Sequence, residues 1–565
     1  MSKSLALLVA CMVIMPGLNA AGTSNPQDKH PARDSEMAST YVPLDSWVYR
    51  AFERLAAEGY VQTAFLSLRP WTRLDCARLI EEAEDQITDE PATSDVPTLM
   101  RYLKSEFAPE LERRAGATNH EFRLESLDQR VTAIAGRPLT DGFHFAETLV
   151  NDDGRPFGEG TSLYSGTSFR ATAGPFAGYL RTEIQRVPLA PAPDTFAEQQ
   201  IAAIDLTGMA AAGPVSGFLR GRLLEVNASF AFSNNQFTVG RQSLWWGPAE
   251  SGTTLFSNNA EPIDMIRYDR VRPFELPGFL RGLGPIRVQI MLGRLSGAQF
   301  AQPANILYGT PGLALKDQPF LHGEKFSFKL TQNFEFSISH THIFGGPGSP
   351  LNFHTFFRDI FSSGTQNGSV NPGDSRQAVD ASYRIPGLRQ CLTGYVDGIA
   401  DDQPFPPIYP TESVWLSGFM LGCVPHLAHM TIRAEGLLSP YRHLEPPGFF
   451  YYNSQFKSGY TNNRQLIGSW IGREAQGEQI WANWHFSPRS TLELSGRGQN
   501  VARDFLEGGT LRDLRAVANI ALRPEWQLRL EEQAEWWHFP LLSTSAQRDA
   551  ALTIQLSFNP LWRTR

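Results

Sequence analysis

From about Glu121 to the C-terminus the apolar residues recur at every second position. In Lys325–His340, Phe326, Phe328 and Leu330 alternate with Ser327, Lys329 and Thr331; after Gln332-Asn333, Phe334, Phe336 and Ile338 alternate with Glu335, Ser337 and Ser339. A period of two is that of a strand with one apolar face, and a two-residue break of this kind predicts a hairpin. The pattern returns at Leu224–Phe232 with a Ser233-Asn234-Asn235 turn before Phe237 and Val239. It returns again at Leu514–Leu522 with Arg523-Pro524-Glu525 before Trp526, Leu528 and Leu530, and finally at Leu552–Phe558.

Upstream of Glu121 the period is close to 3.6. Asp45 or Ser46 can cap a helix that carries Trp47, Ala51, Phe52 and Leu55 on one face and stops at Gly59. Thr72-Arg73-Leu74-Asp75 reads as a capping box opening a second helix with Leu74, Leu79 and Ile80. Asp95 and Pro97 open a third, carrying Leu99, Tyr102, Leu103 and Phe107, which Pro109 interrupts. A bundle of about 75 residues is marginal alone and is expected to lean on the rest of the chain.

A secreted sandwich or propeller would also alternate. Two features favour a lipid-facing barrel: the apolar face continues over many hairpins without doubly buried runs, and aromatics such as Tyr451-Tyr452 and Trp536-Trp537 fall near strand ends, where an interfacial girdle would lie. The predicted fold is mainly β: a large antiparallel transmembrane β-barrel with a small N-terminal α-helical bundle. At roughly 22 to 27 residues per strand with its loops, the final ~440 residues give about 16 to 20 strands, with eighteen preferred. The terminal aromatic of such a barrel would be Phe558 or Trp562. The expected division is a signal peptide at 1–20, a flexible start at 21–40, a periplasmic bundle at 41–118 and an outer-membrane barrel at 119–565.

Composition agrees. Hydrophobic residues are 42% of the 565 and charged residues 19%, with Phe 37 and Trp 12, yet mean hydropathy is −0.27. After the first twenty residues no stretch approaches the roughly 18 apolar positions of a spanning helix. A net charge of −8 without a basic stripe argues against nucleic acid as a partner. Lys3, the apolar Leu5–Met15 and Leu18-Asn19-Ala20 have the order of a cleaved export signal. Leu8-Val9-Ala10-Cys11 superficially fits a lipoprotein box, but too few apolar residues precede Cys11. Cys391 and Cys423 flank a loop centred near Ile408 and could face each other across a hairpin, either as a disulfide or as two small apolar residues.

The stretch with the most varied chemistry is Val239–Arg270. It joins Trp245-Trp246, Gly247-Pro248, Asn258-Asn259, and the charges of Arg241, Asp264 and Arg267. Indole faces suit the C–H faces of a sugar, and amides and charges suit its hydroxyls. A packed turn or an interfacial anchor would use the same residues. Gln236–Ser243 reads as a strand entering the stretch and Asp264–Arg272 as one leaving it, so the motif sits on a connection of roughly 20 residues, long for a hairpin and expected to be extracellular or folded into the lumen. Other long connections are Asn151–Gly160, Ala190–Gln199, Gly345–Ser375, Asp401–Ser413 and Tyr441–Arg473. No catalytic signature is present, and no enzyme activity or cofactor is expected. His340 and His342 lack a third metal ligand. Asp152-Asp153 and Asp401-Asp402 are adjacent in sequence, so their side chains tend to diverge rather than face each other across a bond.

SWVYRAFERLAAEGY, LRPWTRLDCARLI and GRQSLWWGPAESGTTLFSNNAEP together resemble the Wzi-type capsule-assembly proteins of the bacterial outer membrane. The resemblance implies an outer-membrane barrel, a periplasmic helical bundle near its lower mouth and a lectin-like role in holding capsular polysaccharide. With the motif's chemistry, it makes Arg241, Trp245, Trp246, Asn258, Asn259, Asp264 and Arg267 the candidate polysaccharide contacts. The expected partners are surface polysaccharide, outer-membrane lipid and the barrel assembly machinery, and the chain is expected to act as a monomer. A general or sugar-selective porin is the competing reading, since a barrel of this size could enclose water.

Overall fold

The computed structural model describes residues 34–87, 95–190, 193–207, 217–301, 313–315, 317–345, 373–388, 391–401, 413–422, 424, 427, 429–439 and 447–560. The expected signal peptide, Cys423, Asp402, Trp562 and most of the Gly345–Ser375 and Asp401–Ser413 loops lie outside the described residues.

Eighteen antiparallel strands close into a barrel. In chain order they are β1 His120–Gly136, β2 Gly160–Ala173, β3 Phe176–Val187, β4 Phe218–Phe232, β5 Asn235–Gln242, β6 Ile263–Arg270, β7 Ile286–Arg294, β8 Phe320–Thr331 and β9 Phe334–Phe344. The second half comprises β10 Asp374–Arg384, β11 Leu392–Asp401, β12 Val414–Leu421, β13 Met430–Leu438, β14 Ala475–Ser487, β15 Ser490–Val501, β16 Gly509–Ala521, β17 Trp526–His538 and β18 Gln547–Phe558. Each strand pairs with its successor, and β18 returns to β1 in the register Val131↔Ile554. The Ser233-Asn234 turn has both residues at positive φ, as a tight hairpin requires. The tight turns gather at one end, together with the longer 271–285 connection between β6 and β7, and the other long connections lie at the opposite end.

The burial pattern is the reverse of a water-soluble sheet. Lys325 and Ser327 are 0% exposed, whereas Leu514, Ile266 and Val239 are 62%, 58% and 55% exposed. Polar residues point into the lumen and apolar ones out, which fits a barrel in lipid and not a sandwich core. The last strand ends on Phe558, whose ring lies 4.9 Å from that of Trp526.

Two expectations about aromatics fail in part. Tyr451 and Tyr452 are buried among Phe450, Phe456 and Tyr460 in an inward-folded long loop, not in a girdle; they stand outside any strand, so no alternation turns them to lipid. Trp536 does face outward, but Trp537 points inward and donates from Nε1 to the Arg137 carbonyl at 2.9 Å. Neighbours on one strand take opposite faces.

Among the described residues between 41 and 118 the chain forms four helices: α1 Val48–Glu58, α2 Arg73–Gln86, α3 Val96–Glu106 and α4 Ala108–Ala115. Ser46 Oγ accepts from the Val48 N–H, and α1 ends at Gly59 with φ +90°. Thr72 caps α2 by accepting from the Asp75 N–H at 3.2 Å. Pro109 ends nothing further; it sits in the first turn of the unanticipated α4, where a missing N–H costs no helical bond. A further helix, α5 Thr195–Ile204, is capped by Asp194 within the Ala190–Gln199 region read from sequence as a loop; it buries only Ala197, so its apolar stripe was too weak to detect.

The bundle has its own core of Phe52, Leu55, Trp71, Leu79, Leu103 and Phe107. It is tied to the inner wall near the short-turn end by Arg287–Asp75 at 3.1 Å, Arg433–Glu53 at 3.0 Å and Arg50–Glu493 at 2.9 Å. Cys391 is disulfide-bonded and Cys76 is a buried free thiol.

The facing can be checked on the closing strand. Ile554→Lys places a charge against lipid and is expected to cost about 2–4 kcal/mol, whereas Gln555→Lys, on the luminal face, costs under about 1 kcal/mol; urea unfolding in detergent micelles, followed by the heat-modifiable gel shift, measures both.

Candidate functional site

The connection between β5 and β6 starts from the long-loop end but folds into the lumen. There Trp245-Trp246 forms a two-residue antiparallel ladder with Leu68-Arg69, which projects from between α1 and α2, in the register Leu68↔Trp246 and Arg69↔Trp245. The Gly247 N–H donates to the Ser67 carbonyl at 2.8 Å. Gly247 has φ +150°, and a Cβ there would lie 2.9 Å from the Asp397 carboxylate, so the close approach needs glycine.

Carboxylates on the barrel wall hold both crossing segments. Glu335 on β9 accepts from the Leu66 and Ser67 N–H groups at 2.9 and 3.0 Å. Glu435 on β13 accepts from the Glu250 and Ser251 N–H groups at 2.7 and 3.0 Å and from the Tyr395 hydroxyl at 2.6 Å. Asp397 on β11 takes the N–H and hydroxyl of Thr254 at 2.8 and 2.7 Å. Trp246 donates from Nε1 to Gln289 Oε1 at 2.6 Å and meets the Phe256 ring edge-on at 4.8 Å.

Two other long loops join this plug. The Asn258 and Asn259 carbonyls accept from the Asp153 and Gly154 N–H groups at 2.8 and 3.0 Å. Ser257 Oγ donates to the Gly468 carbonyl at 2.7 Å, and Asn259 Nδ2 to that of Leu466 at 3.3 Å. Higher in the plug, His144 bonds Asp141 through Nδ1 and Asp205 through Nε2, each at 2.8 Å. Burial alone would lower its pKa; the two carboxylates outweigh burial and lift it to about 9, so His144 is an imidazolium at neutral pH. Arg473 also binds Asp205 and lies over the rings of Tyr452, Phe143 and Phe505, at 4.5, 4.9 and 5.1 Å.

The plug and bundle leave one arc of the lumen open. A cavity of about 550 Å³ runs along β1 to β3 and β14 to β18, from Pro488, Pro524 and Pro560 at the short-turn end to Asn151, Trp245 and Asn258 inside. Its wall carries ion pairs: Arg130 grips Asp152 at 2.7 and 3.0 Å, and Arg515 binds Glu531 at 2.6 Å. Burial pushes the Asp153 carboxyl up to about 7.

The seven residues expected to meet ligand do not come together. Arg241 and Asp264 form a bidentate pair, both bonds 3.0 Å, on the outer face beside Val239 and Ile266. The strand period puts them opposite to Gln242 and Met265, which point inward, and sequence proximity to the motif hid this. Arg267 is fully buried with its guanidinium 3.7 Å over the Tyr41 ring. Trp246 and Asn259 are buried within the plug, and only Trp245 and Asn258 line the cavity. His340 lies beside Glu324 and His342 bonds Ser375 at 2.6 Å, both on the outward-facing register. Asp401 pairs with the buried Arg376 at 3.2 Å. The wall residues Gln289, Glu335, Asp397 and Glu435 were missed, because an inward polar position that grips a loop has the same period as one that faces water.

A closed barrel with an apolar exterior and a lumen crossed by its own N-terminal segment and inward loops defines a plugged outer-membrane β-barrel. The chain belongs to the Wzi capsule assembly protein family, whose model matches residues 129–552. A solved structure of Wzi from Escherichia coli, described as an outer-membrane protein involved in group 1 capsule assembly and a carbohydrate-binding β-barrel, superposes with a TM-score of 0.62 at 14% identity, over 92% of this chain and 99% of that one. An uncharacterized 55.8 kDa protein in the cps region of Klebsiella pneumoniae is 24% identical over 192 residues, 33% of this chain and 34% of that protein. The match thus spans about a third of that relative's length. The OccD3 (OpdP) structure from Pseudomonas aeruginosa has a TM-score of 0.42 at 10% identity, over 79% of this chain and 93% of that one.

Two outcomes test the plug. Trp246→Ala removes a fully buried indole and its bond to Gln289 and is expected to destabilise the plug by about 3–5 kcal/mol, with new protease cleavage in residues 243–262 but normal barrel insertion; Trp245→Ala does less, because its ring borders the cavity. Since His144 titrates near 9 in the folded loops and near 6.5 free, its contribution, on the order of 3 kcal/mol, is complete below pH 6.5 and fades as pH rises through 9. Amide exchange in residues 137–159 and 447–474, normalised for intrinsic rate, should rise between pH 7 and 10, and the added rise should vanish in His144→Gln.

Proposed function

We propose that this protein holds a surface polysaccharide at the outer membrane and is a non-conducting barrel. The observation that carries the reading is the meeting of Leu68-Arg69 with Trp245-Trp246 inside the lumen, for a porin needs a continuous water path where these segments cross. Family membership supports the polysaccharide, as does the carbohydrate-binding description of the Escherichia coli relative. The bundle and short turns face the periplasm and the long loops face outward, the usual arrangement of bacterial barrels. Export by residues 1–20, insertion by the barrel assembly machinery and a monomeric state complete the reading; closure of β18 on β1 leaves no strand edge to pair with another copy. The role is non-catalytic: Asp152 and Asp153 are engaged by Arg130 and Arg155 rather than poised across a bond.

Purified protein in planar bilayers should show no discrete opening steps, and intact surface polymer from the host should co-sediment with it in nanodiscs. Porin-like steps would overturn the non-conducting barrel, and failure to co-sediment would overturn the polysaccharide role.

A further inference from the structure

The open arc of the lumen has the chemistry of a ligand site. At its inner end Trp245 Nε1 is a buried donor without a partner, and Asn151 Oδ1, Asn258 Oδ1 and Gln479 Oε1 are buried acceptors without partners. Buried polar atoms are mostly satisfied; these four are the uncharged ones among the cavity's lining that no protein group satisfies, and they leave hydrogen-bonding capacity for another molecule. A molecule that accepts from an indole and donates to amide oxygens is one that carries several hydroxyls. Trp245 and Tyr164 add rings for C–H faces, and the Arg130–Asp152 pair adds charges of both signs. The volume, about 550 Å³, lies within the roughly 300–1,000 Å³ of sites that enclose small organic ligands.

We propose that this cavity is a vestibule that binds a short oligosaccharide and is entered from the periplasmic end, with Trp245, Asn151, Asn258 and Gln479 forming its closed end. It rests on the orientation and polysaccharide reading given above. The vestibule lies on the side of the plug away from the cell exterior, so the saccharide reaches it before crossing the membrane or as a chain end held from below. The conspicuous Trp pair then divides its work: Trp246 locks the plug and Trp245 faces the sugar.

Full-length protein in nanodiscs is titrated with oligosaccharides from partial hydrolysis of the host's own surface polysaccharide, and in parallel with the intact polymer. The readouts are Trp245 emission, taken as wild type minus Trp245→Phe, and amide exchange in residues 148–154, of which 148–153 line the vestibule. Fragments should change the emission and protect residues 148–154, and Trp245→Phe and Gln479→Leu should each weaken binding about tenfold, as expected for a lost buried hydrogen bond. Both variants must first show the wild-type heat-modifiable shift. Fragment binding that leaves 148–154 unprotected and both variants at wild-type affinity would overturn the vestibule. Intact polymer binding under those conditions would leave the polysaccharide reading standing, and binding of neither ligand would overturn both.

Discussion

Everything inside this barrel depends on satisfying backbone that has been brought into a place without bulk water. Two irregular segments cross the lumen, and each carries N–H groups that would be costly if left unpaired. One carboxylate on the wall meets each such group of donors: Glu335 for Leu66-Ser67, Glu435 for Glu250-Ser251 and Asp397 for Thr254. In all three places a Ser or Thr hydroxyl is gripped together with its own N–H. A charged acceptor makes these bonds stronger than neutral ones, and the donors in turn stabilise the buried charge. The wall and the plug are therefore conditional on each other.

That dependence explains how a bundle of marginal size persists. The helices have a small core, and their ion pairs to Arg287, Arg433 and Glu493 lie on the barrel's inner face, where solvent screening is weak. The bundle is tied to the wall on several sides, to β3 by Asp45–Arg181 and to β15 by Arg50–Glu493, and the cavity is the space it leaves beside β1 to β3 and β14 to β18. Occlusion and an enclosed polar space thus arise from one placement: a segment wide enough to cross the lumen but too small to fill it.

The barrel was legible in sequence because lipid imposes a period of two over every strand, and the turns at Ser233-Asn234, Gln332-Asn333 and Arg523–Glu525 carry their own chemistry. The helices were legible through caps and Gly59. What could not be read was the lumen. Glu335 and Glu435 occupy the same inward register as residues that meet only water, and nothing local marks them as loop holders. Arg241 and Asp264 were misassigned for the converse reason: proximity to the Trp motif outweighed the alternation that turns them outward. Tyr451-Tyr452 resembled a girdle because two adjacent aromatics near a strand say nothing about which way a loop folds.

The Trp pair shows how one local geometry yields two roles. In a two-residue strand consecutive side chains must take opposite faces, so pairing Trp245-Trp246 with Leu68-Arg69 sends one indole into the packed plug and leaves the other toward the open arc. Trp246 finds Gln289 and Phe256 there. Trp245 has no packing partner of that kind for its N–H, although its backbone is fixed as firmly as its neighbour's. A ring held rigid by the ladder yet left without a polar partner is preorganised for a ligand at little further entropic cost, and the same β pairing that blocks the lumen supplies that rigidity.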